Sequence, residues 1–120
     1  PESGRLFASP MDEGPDVPCD AQPDEYDVAL AAHRVEDRTA LTVGRIHSRW
    51  AGLRTFALDR HLVAGFDPRA EGFFWLAGQG GFGLQTSPIM ARIVESLVAG
   101  TPWPIDTVSA DDLSPARFLG

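Results

Sequence analysis

Four glycines fall within six residues of this chain, in the run Trp75-Leu76-Ala77-Gly78-Gln79-Gly80-Gly81-Phe82-Gly83-Leu84-Gln85-Thr86. An apolar strand pattern enters them and an amphipathic helix pattern leaves them. The chain must therefore form a strand, a tight turn and a helix in immediate succession. Glycine reaches positive φ and carries no Cβ, so such a turn brings backbone N–H groups close to a flat or anionic ligand. The helix behind it adds a partial positive charge and unpaired N-terminal donors. The same pattern also serves as a plain strand-to-helix connection, and the turn by itself leaves both readings open.

The other elements are read from periodicity. Arg5 to Ser9 predicts a short strand stopped by Pro10, and the proline-spaced acidic stretch 11–23 predicts a surface loop. Asp24 to Val35 has an acidic start and apolar positions at helical spacing, which predicts a helix with Asp24 as N-cap. Thr42 to Trp50 alternates polar and apolar residues as a half-buried strand does, and the pattern runs on to Phe56. Leu62 to Phe66 and Phe73 to Ala77 predict two more strands joined by an Asp-Pro and Gly turn, with Trp50 and the Phe73-Phe74-Trp75 run as core residues first, although such aromatic rings also wall ligand pockets. Ser87-Pro88 looks like an N-cap and first-turn proline ahead of a stripe of Ile89, Ile93, Val94, Leu97 and Val98 that ends before Gly100, although that helix can also begin at Gly83. The tail from Thr101, with its three prolines, predicts irregular chain and a turn over 111–117. The fold class is α+β.

Composition narrows the function. With 17 acidic against 10 basic residues the net charge is -7, and no basic cluster breaks that balance, so no nucleic-acid partner is expected. The lone Cys19 excludes an internal disulfide, and no apolar run is long enough for a membrane span, which leaves a cytoplasmic setting as the expectation. The opening Pro1-Glu2-Ser3-Gly4 looks like neither a signal peptide nor a translation start and suggests a trimmed segment.

Candidate chemistry is sparse. His33, His47, His61 and Cys19 show no metal-ligand spacing, so no metal is expected. No serine sits in a nucleophile elbow, and Asp59-Arg60-His61 reads as a solvated turn. Gly78, Gly80 and Gly83 match a GxGxxG spacing. The acid that ends a second parallel strand about 20 residues later in a dinucleotide fold is missing, so this is not that fingerprint. Arg54 stands out, because it lies in the apolar segment Trp50 to Phe56, where a guanidinium is costly unless paired. A carboxylate, from the protein or from a ligand, would satisfy it, and so would an outward orientation to solvent.

Four segments in order carry a resemblance: Trp50-Ala51-Gly52-Leu53-Arg54, Val63-Ala64-Gly65-Phe66, Gly72 through Thr86, and Leu113-Ser114-Pro115-Ala116-Arg117. Together they resemble the C-terminal part of FAD-dependent oxidoreductases of the D-amino acid oxidase superfamily, most closely the D-amino acid dehydrogenase branch of D-arginine type. The resemblance implies part of a mixed-sheet substrate domain over residues 1–56. Over residues 57–120 it implies a strand-turn-helix completing an FAD domain. It implies FAD contacts at Gly52, Gly80, Gly81, Phe82, Gly83, Leu84 and Gln85. It assigns the substrate carboxylate to Arg54 and the substrate amino group to the Gly81 carbonyl. Phe82 stands where that branch is expected to have tyrosine, which removes a hydroxyl near the substrate.

The implied reaction is oxidative deamination of an amino acid or related amine by hydride transfer to FAD. Since the N-terminal βαβ unit has no counterpart here, the chain is expected to be a fragment that needs the rest of the flavoprotein and is inactive alone. Two alternatives stay open: a non-catalytic α+β interaction module, and one subunit of a heteromeric flavoenzyme.

Overall fold

The computed structural model describes residues 4–119, which form two compact units, one up to Leu53 and one from Arg54. Of the opening tetrapeptide, residues 1–3 lie outside the described residues.

In the first unit the predicted helix is present as α1, Glu25–Arg38. Asp24 caps it, its carboxylate accepting the Tyr26 N–H at 2.7 Å, and Glu25 and Asp27 place negative charge in the first turn where the helix dipole favours it. The Thr39 hydroxyl donates to the Val35 carbonyl at 2.7 Å where the helix ends. Ala31 is its buried residue. Around α1 the chain is irregular, tied by Arg34 to the Pro10 carbonyl and by an exposed Arg49–Glu25 ion pair.

The strands predicted over 5–9 and 42–56 do not form, and among the described residues the only strands lie in the second unit. A strand exists only when a neighbour accepts its ladder hydrogen bonds. Here the backbone turns to side chains instead: the Val43 N–H donates to Glu36 Oε1 at 2.9 Å and the Leu41 N–H to Thr39 Oγ1 at 3.1 Å. Trp50, expected in the core, is 68% exposed and packs edge to face on Phe7, ring to ring at 5.8 Å.

The second unit is built on a hairpin. β1, Val63–Phe66, and β2, Phe74–Ala77, pair antiparallel with Val63 opposite Ala77 and Phe66 opposite Phe74. The two facing phenylalanines pack edge to face at 5.0 Å. β2 runs into the glycine turn and then α2, Gly83–Ala99. A short α3, Ala110–Leu113, and a 3-10 turn, Pro115–Phe118, complete the unit. Ser109 and Asp112 form a reciprocal capping box that starts α3. The tail is thus more regular than its prolines predict. The fold class is α+β, as the sequence indicates, and the sheet formed by the described residues is this one antiparallel hairpin.

The core gathers Ala64 of β1, Met90 and Ile93 of α2 and Leu113 of α3, with Leu97, Trp103 and Ile105 packed around it. The buried stripe of α2 therefore runs through Met90, and Val98, expected inside, is exposed. α2 begins at Gly83, the earlier of its two expected starts, which places Pro88 inside the helix. A proline there cannot donate to the carbonyl one turn back. The Ser87 hydroxyl donates to that Leu84 carbonyl instead, at 2.9 Å. Gly100 closes the helix in the left-handed region at φ +70°.

β1 is covered by α2, α3 and the 3-10 turn. β2 keeps Trp75 and Leu76 exposed, with Phe73 exposed just before it, so the expected core position of Phe73 and Trp75 is not what forms. Phe73 and Trp75 pack edge to face on each other at 5.0 Å, and the Trp75 indole N–H donates to the Asp67 carboxylate.

Candidate functional site at the glycine turn

β2 and α2 hold the glycine turn between two rigid ends, and an irregular segment, 55–62, walls it on one side. The Gly80 N–H donates to the Thr55 carbonyl at 2.9 Å, and the Phe82 N–H donates to the Gln79 carbonyl at 2.9 Å. Gly80 sits at φ +52°, and a Cβ built on it would lie 2.6 Å from Cε1 of Phe56. Both the dihedral and the space disfavour a side chain there, which would have to displace the Phe56 ring. Beyond it the chain surfaces: Gly81, Phe82, Leu84 and Gln85 are exposed, Leu84 to 93%.

The N-terminus of α2 is chemically bare. The capping position is Phe82, whose side chain makes no cap hydrogen bond, and the first turn carries no acid. The N–H groups of Gly83, Leu84 and Gln85 have no acceptor within the helix, because the ladder starts with Thr86 N–H on the Phe82 carbonyl at 2.9 Å. Three convergent donors with half a unit of positive charge and an aromatic ring beside them suit an electron-rich planar edge.

Arg54 is half-buried, its guanidinium 5.2 Å from the centre of the Phe56 ring, and Arg60 lies 4.6 Å from the same ring. Phe56 thus joins Arg54 to Gly80 through one ring. Gly52 belongs to the other compact unit, where a Cβ would meet open space. Of the predicted contacts, those from Gly80 to Gln85 are brought together by the turn itself, and Arg54 stands near them through Phe56.

Two groups escaped the sequence reading. Asp59, expected in a solvated turn, grips Arg117: Nε donates to Asp59 Oδ2 at 2.7 Å and Nη2 to Oδ1 at 3.2 Å. That fork and the neighbouring His61 N–H hold the Asp59 carboxyl down at about 2, below its ordinary 3.8. No local pattern announces a pair so far apart in the chain. Asp67 is buried at the first position of the hairpin loop and accepts the Trp75 indole N–H at 3.0 Å and the Arg69 N–H at 2.8 Å. Led by the indole bond, these hold its carboxyl at about 2 as well. Here a signal existed, since an aspartate opening an Asp-Pro turn bonds the backbone two residues on.

A cleft of about 290 Å³ opens beside the hairpin, walled by Phe56, Val63, Trp75, Pro115 and Phe118, with Asp67 and Arg69 supplying its polar groups. It does not include Arg54 or the residues from Gly80 to Gln85. Among the described residues no group of three His, Cys, Asp or Glu side chains gathers to hold a metal, and no helix is long and apolar enough to cross a membrane.

A strand, a glycine turn and a helix whose first turn has no side-chain cap thus follow one another directly in the second unit. Residues 1–97 match the DAO family, FAD dependent oxidoreductase, and the chain belongs to that family. Its cofactor is FAD. The bare amides of α2 beside Phe82 fit a flavin ring, whose pyrimidine edge is rich in acceptors. The chain is also similar to the tRNA 5-methylaminomethyl-2-thiouridine biosynthesis bifunctional protein MnmC of several bacteria. It is 36% identical over 52 residues to that of Paraburkholderia phytofirmans and 40% identical over 52 residues to that of Paraburkholderia phymatum. Each match covers 43% of this chain and 8% of the relative's length.

Proposed function

We propose that this chain is one portion of a longer FAD-dependent oxidoreductase that oxidises the carbon beside an amine nitrogen. The uncapped N-terminus of α2, set directly after the glycine turn, carries the reading. When bound, FAD supplies hydride acceptance, and the residues from Gly80 to Gln85 are assigned to hold its ring and stabilise the charge of its reduced form. Arg54 orients a substrate carboxylate by its planar fork, and the Gly81 carbonyl accepts from the amino group. In this assignment residues 1–56 serve the substrate side and residues 57–120 the cofactor side, with a cytoplasmic location.

An amine is common to the superfamily branch that the motifs resemble, which acts on amino acids, and to the name of the relatives, which carries a methylaminomethyl group. This portion, with a net charge of -7, offers no basic cluster to a phosphate backbone. The test is turnover by the full-length protein of a panel of free amino acids and amines beside a tRNA carrying an aminomethyl uridine. Flavin reduction by carboxylate-bearing amines supports the reading. Reduction by the tRNA alone overturns its substrate part, and a flavin-free full-length protein overturns the whole.

A further inference from the structure

The wall on which the glycine turn leans, residues 55–62, has no helix or strand of its own. It lies close against the turn. Thr55 accepts the Gly80 N–H, Phe56 lies where a Gly80 side chain would be, and the His61 carbonyl lies 3.2 Å from where a Cβ on Gly78 would sit. A segment without ladder hydrogen bonds opens at low cost unless something else fastens it.

The long-range fastening that reaches the segment from the C-terminal end of the chain is the Arg117 guanidinium. Arg117, whose side chain is 15% exposed, closes a fork on Asp59 and also donates from Nη2 to the carbonyls of His61 at 3.2 Å and Leu62 at 3.1 Å. Its Nη1 donates to the Ser114 carbonyl at 3.0 Å, and the group lies 4.3 Å from the centre of the Phe118 ring. One planar cation thus clasps the wall on one side and the 3-10 turn on the other, a geometry that lysine cannot reproduce.

We infer that Arg117 is a positioning residue for the flavin-facing turn, acting through Asp59 and the 55–62 wall. This rests on the proposed flavin role of that turn. Arg117 touches neither the turn nor the assigned flavin contacts, so its effect is carried by the Thr55–Gly80 bond and the packing of Phe56.

The test uses the full-length holoprotein with Arg117→Lys, Asp59→Asn and, as a control at the hairpin loop, Arg69→Gln. Arg117→Ala is added where it folds, and the milder pair decides where it does not. Two quantities are read: the FAD dissociation constant, and hydrogen exchange of peptides spanning Gly80 and, separately, Met90 to Ile93. The expected result is a dissociation constant raised roughly threefold to thirtyfold by Arg117→Lys and Asp59→Asn. Faster exchange should be confined to the Gly80 peptide, the double variant should lose no more than the worse single, and Arg69→Gln should stay at wild type.

A rise in exchange through the α2 core peptide to the same degree would mean that Arg117 only stabilises the unit, and would overturn the inference. So would wild-type flavin affinity and Gly80 exchange in Arg117→Lys. A wild-type protein without flavin overturns the proposed function itself, whereas a flavin-loaded wild type with unaltered variants overturns this inference alone.

Discussion

Gly80→Ala and Gly100→Ala place the same methyl group on two glycines of similar dihedral and different surroundings, which lets the structure assign a magnitude to each part of the cost. Gly80 has φ +52° and Gly100 φ +70°, so both pay the left-handed penalty of about 1 to 2 kcal/mol. Around Gly100 nothing lies within 4 Å of the new Cβ, and the penalty is the whole effect. At Gly80 the methyl arrives 2.6 Å from Cε1 of Phe56, and forcing that ring aside adds about 1 to 3 kcal/mol of overpacking. Gly80→Ala should therefore cost about 2 to 5 kcal/mol and Gly100→Ala about 1 to 2. In a Phe56→Ala background the extra cost at Gly80 should vanish, leaving two nearly equal penalties. The assay is thermal unfolding of the full-length protein followed by flavin fluorescence, with each glycine variant measured in both backgrounds. Equal costs for the two glycines in the wild-type background, or an undiminished Gly80 cost without the Phe56 ring, would refute the argument that the turn is shaped by packing on the 55–62 wall.

Further outcomes follow from the other named groups. Arg54→Lys should lower kcat/KM for a carboxylate-bearing amine by about 2 to 4 kcal/mol with FAD content unchanged, and an amide analogue of that substrate should lose little more on mutation, as steady-state kinetics with both compounds will show. Asp67 and Asp59 are held near 2 in the folded chain, below the ordinary 3.8. Because the folded value is depressed, their stabilisation is complete above the unfolded value and is lost as pH falls through 3.8 toward 2. Trp75 emission should report that loss in an acid titration, and Asp67→Asn should remove the Trp75 part of the transition. Ser109→Ala should destabilise by about 1 kcal/mol through loss of the α3 cap, read in the same melting assay. The isolated 120-residue chain supplied with FAD should not reduce a dye in the presence of amino acids, and measurable turnover by it would contradict the need for further chain.

Much of the fold was legible where the signal is local. The acidic start after Pro23 announced α1 and its Asp24 cap, and Gly100 announced the end of α2. The strand, turn and helix around Gly80 were readable because glycine crowding and a change of hydrophobic period fall at one place. The strand pattern over 42–56 misled, since alternation reports a preference for a sheet and only a partner strand realises it; Val43 bonds Glu36 instead. Trp75 misled for a related reason, as an aromatic strand reads as core whether or not anything covers its face. The Asp59–Arg117 clasp was invisible because its two halves are distant in sequence and each looks like an ordinary surface charge. Arg54 reads as unusual because it lies in an apolar segment, and the structure places it half-buried with its guanidinium over Phe56.

The central claim, that the turn and the head of α2 hold a flavin, is tested most directly by FAD content. The measurement is the visible absorbance of the purified full-length protein before and after gel filtration, for wild type and Gly83→Val. A side chain at position 83 begins 3.3 Å from Cβ of Gln79 and stands at the mouth of the donor-bearing turn, so the branched valine pushes the helix start away from its ligand. The account predicts stoichiometric flavin in wild type and its loss on gel filtration from Gly83→Val with the secondary structure intact. A colourless wild-type protein, or full flavin retention in Gly83→Val, would contradict it.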